Sequence, residues 1–164
     1  MKSIIWFRND LRLDDNPSLR EACKNSSELH PFFFYSYDQL EKHNEANVKI
    51  DFLIKSIQSL NASLQKLNIP LTIVNSEGFE QDPDIILNLA IERNIEKVFI
   101  NKQFGNDEQN RDKRARDLLN AANIKTEFFN DQIVYEAGSI RTGQDNPYSV
   151  FTPFKRKWVE GFDM

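Results

Sequence analysis

The chain has 164 residues, the length of one ordinary domain, and is 40% hydrophobic and 28% charged, which suits a buried core under a polar surface. Its net charge of −4 and isoelectric point near 5.3 lack the basic excess of nucleic-acid-binding domains, so direct DNA contact is not expected. A single cysteine excludes an intramolecular disulfide. Cys23 follows Leu19 and Ala22 in a helical pattern and is predicted to be buried. With no signal peptide and no bilayer-length apolar run, we expect a cytoplasmic protein without a membrane partner.

The predicted elements alternate between strands and helices along the chain. A short apolar run at residues 3–7 predicts a buried strand. Asn16 and Pro17 then predict the N-cap and first residue of a helix, and Asp82 with Pro83 repeats that signal. Further strands are predicted at 32–37, where Pro31 opens the strand, and at 71–74, 97–100 and 125–129, with a short edge piece at 132–135. Further helices are predicted at 47–67 and 108–122.

This alternation, with short connections, is typical of a parallel sheet covered on both faces. The sequence therefore predicts an α/β fold, a Rossmann-like doubly wound five-stranded parallel sheet with helices on both faces. Ligands bind such sheets at the carboxyl ends of the strands. We therefore expect functional residues in the segments that follow the strands, at 8–16, 38–44, 75–78 and 101–110.

From Ala137 the sequence loses its helical and strand periods and becomes rich in Gly and Pro until Phe154. We therefore expect residues 1–136 to form one domain, and residues 137–164 to be a connector that ends in the first helix of a further domain.

Several familiar signatures are missing from the sequence. It has no G-x-G-x-x-G and no G-x-x-x-x-G-K-[ST], which disfavours a dinucleotide site or a P-loop. His30 and His43 lack partners at metal-ligand spacing, so no metal site is expected. The first loop instead concentrates charge. Arg8 and Asp10 either pair and stiffen that loop or face a heterocyclic ligand. The basic run at 111–116 is expected to be a solvated helix face.

Three segments resemble the photolyase/cryptochrome family, in the order and spacing of that family. They are W-F-R-x-D-L-R-L-x-D-N at 6–16, N-x-x-x-x-x-x-E-x-x-R-D at 101–112 and Y-x-V-F-T-P-F-x-x-x-W at 148–158. The first motif is specific, and together the three cover essentially the whole chain.

The resemblance implies the N-terminal light-harvesting domain of a light-driven lyase that splits cyclobutane pyrimidine dimers in DNA. FAD and the repair chemistry would reside in a C-terminal helical domain that is this chain's partner. The chain alone is therefore expected to have no catalytic residue, no repair activity, and contact with damaged DNA only through the full-length protein. Alternatives are a cryptochrome photoreceptor domain or a stand-alone nucleotide- or flavin-binding module. An exposed patch that could drive self-association is expected at Tyr148, Phe151, Phe154 and Trp158.

The resemblance also implies where an antenna chromophore would bind. Members that bind 5,10-methenyltetrahydrofolate use positions that match His43 and Glu108, with Asp107 standing where those members carry an amide. Asp107 is also predicted to cap the following helix, with Glu108 in its first turn. Other members bind a flavin or deazaflavin deeper, where Phe33 and Tyr37 could instead fill the space. That deeper pocket would be bordered by Arg8, Asp10, Tyr35 and Asp38.

Overall fold

The structure is a computed structural model that describes residues 1–162, and strands and helices alternate along most of that range. The strands are β1 (Lys2–Phe7), β2 (Glu28–Ser36), β3 (Thr72–Ser76), β4 (Lys97–Asn101) and β5 (Lys125–Phe129). The helices are α1 (Pro17–Asn25), α2 (Tyr37–Lys42), α3 (Asn47–Lys66), α4 (Asp82–Glu92), α5 (Asn106–Ala121) and α6 (Phe151–Glu160).

The five strands form one sheet in the order β3-β2-β1-β4-β5, and every pairing is parallel. Alternate residues of β1 point to opposite faces, so Ile4 and Trp6 join the core under α4 and α5, whereas Ile5 and Phe7 join the core under α1 and α3. The predicted doubly wound sheet with helices on both faces is confirmed.

The two predicted helix starts have different outcomes. Asn16 caps α1 as predicted, because its backbone is extended and its side-chain oxygen accepts from the Leu19 N–H at 3.1 Å. The prediction that Asp82 caps α4 is wrong. Gln81 holds the N-cap position without a side-chain cap bond. Asp82 is the first helical residue, and its carboxylate is 1% exposed.

Strand β2 begins earlier than predicted and contains Pro31, which pairs with Ile5 of β1. Pairing of β2 with β3 starts only at Phe32, so Pro31 sits where β2 has one neighbour and its missing N–H removes no bond to β3. At the other end, Tyr37 begins the short helix α2, which was not predicted. Tyr37 is exposed and fills no pocket.

Helices α1 and α3 show where periodicity overestimated burial. In α3, Ile57, Leu60 and Leu64 are buried against the sheet, but Val48 and Phe52 are 77% and 71% exposed. Only the carboxyl-terminal part of this long helix therefore lies on the sheet. The prediction that Cys23 is buried is also wrong, since it is exposed. It is one residue beyond Ala22, and one residue turns the side chain about 100° around the helix.

The chain divides into two units, Met1–Asp131 and Gln132–Met164. In the second unit residues 132–135 form no strand, and α6 begins at Phe151, three residues before the predicted start. The Tyr135 hydroxyl donates to the Trp158 carbonyl at 3.0 Å, and the two rings meet edge to face. Of the predicted patch, Phe151 is 72% exposed, while Tyr148, Phe154 and Trp158 are half-buried.

No helix among residues 1–162 is long and apolar enough to cross a bilayer.

Candidate functional site

The carboxyl ends of the parallel strands meet at one edge of the sheet in the first unit, and two layers of polar side chains follow them. The inner layer follows β1 and β4. Arg8 extends its guanidinium to Asp112 of α5, with Nη1 to Oδ1 at 2.9 Å, and also donates to the Asn101 carbonyl. Arg8 is 6% exposed. Arg8 therefore pairs with Asp112, and not with Asp10 as one prediction had it.

Asp10 serves the backbone and two amides of the same layer. Its Oδ1 accepts from the Arg8 backbone N–H at 2.8 Å, and its Oδ2 accepts from Asn101 Nδ2 at 2.6 Å and Asn16 Nδ2 at 3.2 Å. Asn101 Nδ2 also donates to the Asn16 oxygen that caps α1. The inner layer, which we call the buried network, thus ties the first loop to β4 and α5. Its members are Arg8, Asp10, Asn16, Asn101, Arg111 and Asp112.

Burial changes the acid–base properties of this region. Burial, assisted by the neighbouring Arg111, lowers the pKa of Arg8 to about 10, against the opposing effect of Asp112. Arg8 therefore stays charged at neutral pH. Burial also raises the pKa of Asp82, although a hydrogen bond with Ser76 and the charge of Arg111 act in the opposite direction. The Arg111 Nη1 atom lies 3.9 Å from the Asp82 carboxylate.

Arg111 corrects a second prediction. The run 111–116 was expected to be a solvated face, but Arg111 and Asp112 are 4% and 6% exposed. The Arg111 guanidinium lies over two rings, 5.1 Å from the Trp6 centroid and 4.4 Å from the Phe79 centroid. The run was misjudged because its first two residues face the sheet edge while Lys113 and Arg114 face solvent.

Above the buried network lie an inner cavity of about 100 Å³ and an outer groove of about 480 Å³. The inner cavity includes Arg8 and Tyr35 in its wall, and the outer groove includes His43. Glu108 borders both spaces. The two spaces share six residues: Asn9, Gln39, Leu40, Leu53, Phe79 and Glu108.

The predicted antenna residues of α2 and α5 come together at the rim of the groove. His43 Nε2 lies 2.6 Å from Gln39 Nε2 and 3.5 Å from Asp107 Oδ2. Lys42 Nζ lies 4.0 Å from the same Asp107 oxygen. His43 and Glu108 line the outer groove, whereas Asp107 lines a neighbouring cavity of about 320 Å³. We call His43, Asp107 and Glu108 the groove rim. These side chains can donate hydrogen bonds to a polar heterocycle or accept hydrogen bonds from it.

The prediction that Asp107 caps α5 is wrong, because Gly105 is the N-cap and Asp107 and Glu108 both lie in the first turn. The Glu108 carboxylate folds back over Gly105, where a Cβ would lie 2.0 Å from Glu108 Oε2. Glycine at this position therefore leaves room for the Glu108 carboxylate. A carboxylate also suits the positive end of a helix.

The other predicted site residues are placed apart from the rim. Asp38 is exposed on α2 and borders neither the inner cavity nor the outer groove. Asp10 is buried in the network. Sequence reasoning missed Gln39 and Phe79, which line both spaces, because α2 is too short to show a period and Phe79 lies in a turn without a motif.

A parallel sheet with this strand order defines a Rossmann-like α/β domain, a class in which ligands bind at the carboxyl edge of the sheet. The model of the DNA photolyase family matches residues 3–163, so the chain belongs to that family.

The chain is similar to a deoxyribodipyrimidine photo-lyase of Vibrio cholerae, with 33% identity over 97% of the chain and 34% of the relative. It thus spans about a third of the length of the curated relatives it matches. Its fold resembles the class III photolyase of Agrobacterium tumefaciens, with a TM-score of 0.83, 26% identity and coverage of 99% of this chain and 32% of that one. The Sulfolobus tokodaii photolyase, solved with two FAD molecules, shares the fold at a TM-score of 0.77 and 21% identity, covering 100% and 36%.

Proposed function

We propose that the chain is the light-harvesting domain of a light-driven enzyme that splits cyclobutane pyrimidine dimers in DNA. The observation that carries this proposal is the family match over residues 3–163, with relatives named deoxyribodipyrimidine photo-lyase. Since the chain spans a third of those relatives, the proposal assigns the repair chemistry to a partner FAD-binding helical domain. Damaged DNA is then reached only through the longer protein, which we expect to act in the cytoplasm.

The sizes of the two spaces support a folate-type chromophore over a flavin or deazaflavin. Ligand pockets commonly have volumes of about 300–1,000 Å³. The outer groove, at about 480 Å³, is in that range, and the inner cavity, at about 100 Å³, is not. The deeper position is also occupied by buried Phe33 and by Arg8, which is engaged with Asp112. We therefore propose 5,10-methenyltetrahydrofolate in the outer groove.

The groove rim supplies groups that suit this chromophore. The half-buried Glu108 carboxylate can accept from the amino-pyrimidine edge of a pterin. The Nε2 atom of His43 contacts both Gln39 and Asp107, which restricts the orientation of the ring. The extra charge of Asp107, compared with an amide, is offset by Lys42 at 4.0 Å. When bound, the chromophore absorbs blue or near-UV light and passes the excitation to a reduced flavin.

The second unit supports a helical partner domain. Helix α6 exposes Phe151 and Val159 at 72% and 55%, and Val150 before it at 59%. Exposed apolar side chains grouped on one short segment are typical of an interaction surface. We propose that this surface packs on the FAD-binding domain, and we still expect the chain by itself to self-associate.

A folate titration tests the proposed site. The purified chain should bind 5,10-methenyltetrahydrofolate saturably but weakly, because one domain offers limited buried surface against an unchanged association entropy. The measurement is the shift of the folate absorbance band. Absence of any shift up to the solubility of the folate would remove the proposed site.

The repair assignment has its own test. The chain is joined to the part of the Vibrio cholerae relative that follows its matched third, and dimer splitting is measured under light that reduced flavin absorbs weakly. Adding the folate should raise the rate in the fusion, whereas the 164-residue chain with added FAD should split no dimers. Repair by the unfused chain would overturn the domain assignment.

A further inference from the structure

Phe79 stands at the boundary between the inner cavity and the spaces outside it. It borders the inner cavity, the outer groove and a third cavity of about 320 Å³ beside α5. Gln39 borders the same three spaces, and its Oε1 lies 3.7 Å from the position of a Cβ on Gly78. The side chains of Phe79 and Gln39 therefore line a small inner space and two larger outer ones, and we call these two side chains the wall.

The Phe79 ring also covers Arg111. The guanidinium lies over the Phe79 ring at 4.4 Å and over the Trp6 ring at 5.1 Å, and 2% of the Arg111 side chain is exposed. Guanidinium groups stack on flat aromatic systems. Removal of the phenyl ring would open one face of a fixed guanidinium toward the joined cavities, and a flat heterocycle could then take the place of the ring.

The turn that carries Phe79 is held in position on both sides. Arg114 of α5 donates to the Glu80 carbonyl and to Asp84 Oδ2, the latter at 2.6 Å. The Gln81 N–H donates to the Gly78 carbonyl at 3.1 Å. The wall is thus anchored to α4 and α5 by bonds on each side of the ring.

We infer that Phe79, together with Phe33 and Arg8, determines which class of chromophore this chain accepts: its ring narrows the inner cavity against three-ring flavins while the outer groove stays open to a two-ring pterin. The inference rests on the proposed antenna function for its biological meaning. A substitution that removes the ring should therefore convert the chain into a flavin binder.

The experiment is a titration of the full chain with riboflavin, an uncharged flavin, followed by flavin fluorescence. Phe79→Ala is expected to bind riboflavin at least about tenfold more tightly than wild type, a factor that corresponds to about 1.4 kcal/mol. Phe79→Leu should give an intermediate affinity, because leucine keeps part of the volume but not the flat ring. Riboflavin should also raise the melting temperature of Phe79→Ala by filling the cavity that the substitution leaves.

Phe128→Ala is the matched control. Phe128 is half-buried like Phe79, and Arg116 lies over its ring at the same 4.4 Å, but it borders none of the three spaces. Its riboflavin affinity should match that of wild type, and riboflavin should not raise its melting temperature, although the loss of a ring packed on the core lowers that temperature itself. Equal riboflavin affinity in wild type, Phe79→Leu and Phe79→Ala would overturn the inference, as would an equal gain in Phe128→Ala.

The two proposals fail separately in this design. If wild type binds the folate and no Phe79 variant gains riboflavin, the antenna proposal stands and the role of Phe79 is wrong. If no protein binds the folate but Phe79→Ala gains riboflavin, Phe79 narrows the cavity as inferred and the folate proposal is wrong. Should Phe79→Ala fail to fold, the comparison of Phe79→Leu with wild type decides the matter.

Discussion

The buried network and the groove rim are built from the same kinds of charged side chains, and both follow strand ends, yet their environments are opposite. Arg8 and Asp112 are about nine-tenths buried and bonded to each other. Asp107 and His43 keep 46% and 48% of their side-chain surface and meet at 3.5 Å. The side chains of the buried network thus use their hydrogen bonds to fix the first loop. Those of the groove rim keep hydrogen-bonding capacity that a ligand can use.

Charged residues after a strand can therefore have a structural role or a ligand-binding role, and the sequence pattern is the same for both. A charge in the network has lost its hydration, so removal of its partner leaves an uncompensated buried ion. A charge at the rim remains hydrated, and its loss affects stability little. Substitutions in the buried network should therefore lower the free energy of unfolding, and substitutions at the groove rim should lower ligand affinity.

The largest effect is expected from Asp112→Ala. Two guanidinium groups, those of Arg8 and Arg111, bond to this carboxylate at about 3 Å, and both would lose it. Breaking a buried pair from one side costs about 3–5 kcal/mol, so the urea midpoint should fall sharply. Asp84→Ala is the control, since its pair with Arg114 is half-exposed and should contribute at most about 1 kcal/mol. Equal urea midpoints for the two variants would contradict the claim that the buried network stabilises the folded chain.

Next in size is the effect of Glu108→Ala on folate affinity. A charge-assisted hydrogen bond is worth about 1.5–3 kcal/mol, so the dissociation constant should rise about tenfold to a hundredfold. Lys113→Ala, on the exposed side of the same helix, should leave folate absorbance titrations unchanged. Arg111 is unsuitable as a control because it is buried. If both variants weaken binding equally, Glu108 is not the residue that meets the pterin.

A smaller effect is expected from Gly105→Ala. The new methyl group would take the place of the Glu108 carboxylate, whose Oε2 lies 2.0 Å from the Cβ position. The backbone there is extended, with φ −68°, so alanine fits and should cost under about 1 kcal/mol of stability. Folate affinity should fall about fivefold, or roughly 1 kcal/mol. An affinity like that of wild type would show that Glu108 need not lie over Gly105.

The smallest expected effect concerns Asp82, which borders the inner cavity. Burial raises its pKa above 3.8 in the folded chain, so its stabilising contribution is full below pH 3.8 and is lost as the pH rises through the raised value. The unfolding free energy of wild type minus that of Asp82→Asn should therefore decrease with rising pH. Urea titrations of both proteins over a pH series measure it. A difference that grows with pH would mean that Arg111 outweighs burial.

The sequence predicted the sheet well because most of its strands are short apolar runs between helical segments. Residues 125–129 are found as predicted, and Asn16 caps α1. Predictions of burial from the sequence were wrong for residues whose environment depends on partners distant in the chain. Phe52 fits an apolar helical stripe but is exposed. Arg111 belongs to a basic run but is buried in contact with the rings of Trp6 and Phe79.

By itself, the sequence determined the alternating α/β fold and the strand-end segments where a site would lie, because apolar periodicity and cap residues are local signals. The family was indicated by the resemblance of the motifs at 6–16, 101–112 and 148–158. Only the tertiary structure decided which charges are buried in the network and which remain at the rim. It also revealed Gln39 and Phe79 as the wall of the inner cavity. Burial and cavity lining depend on which side chains contact each other across the sheet edge. Arg8 and Asp112, for example, are separated by 104 positions in the sequence. Local sequence patterns do not encode contacts at such separations.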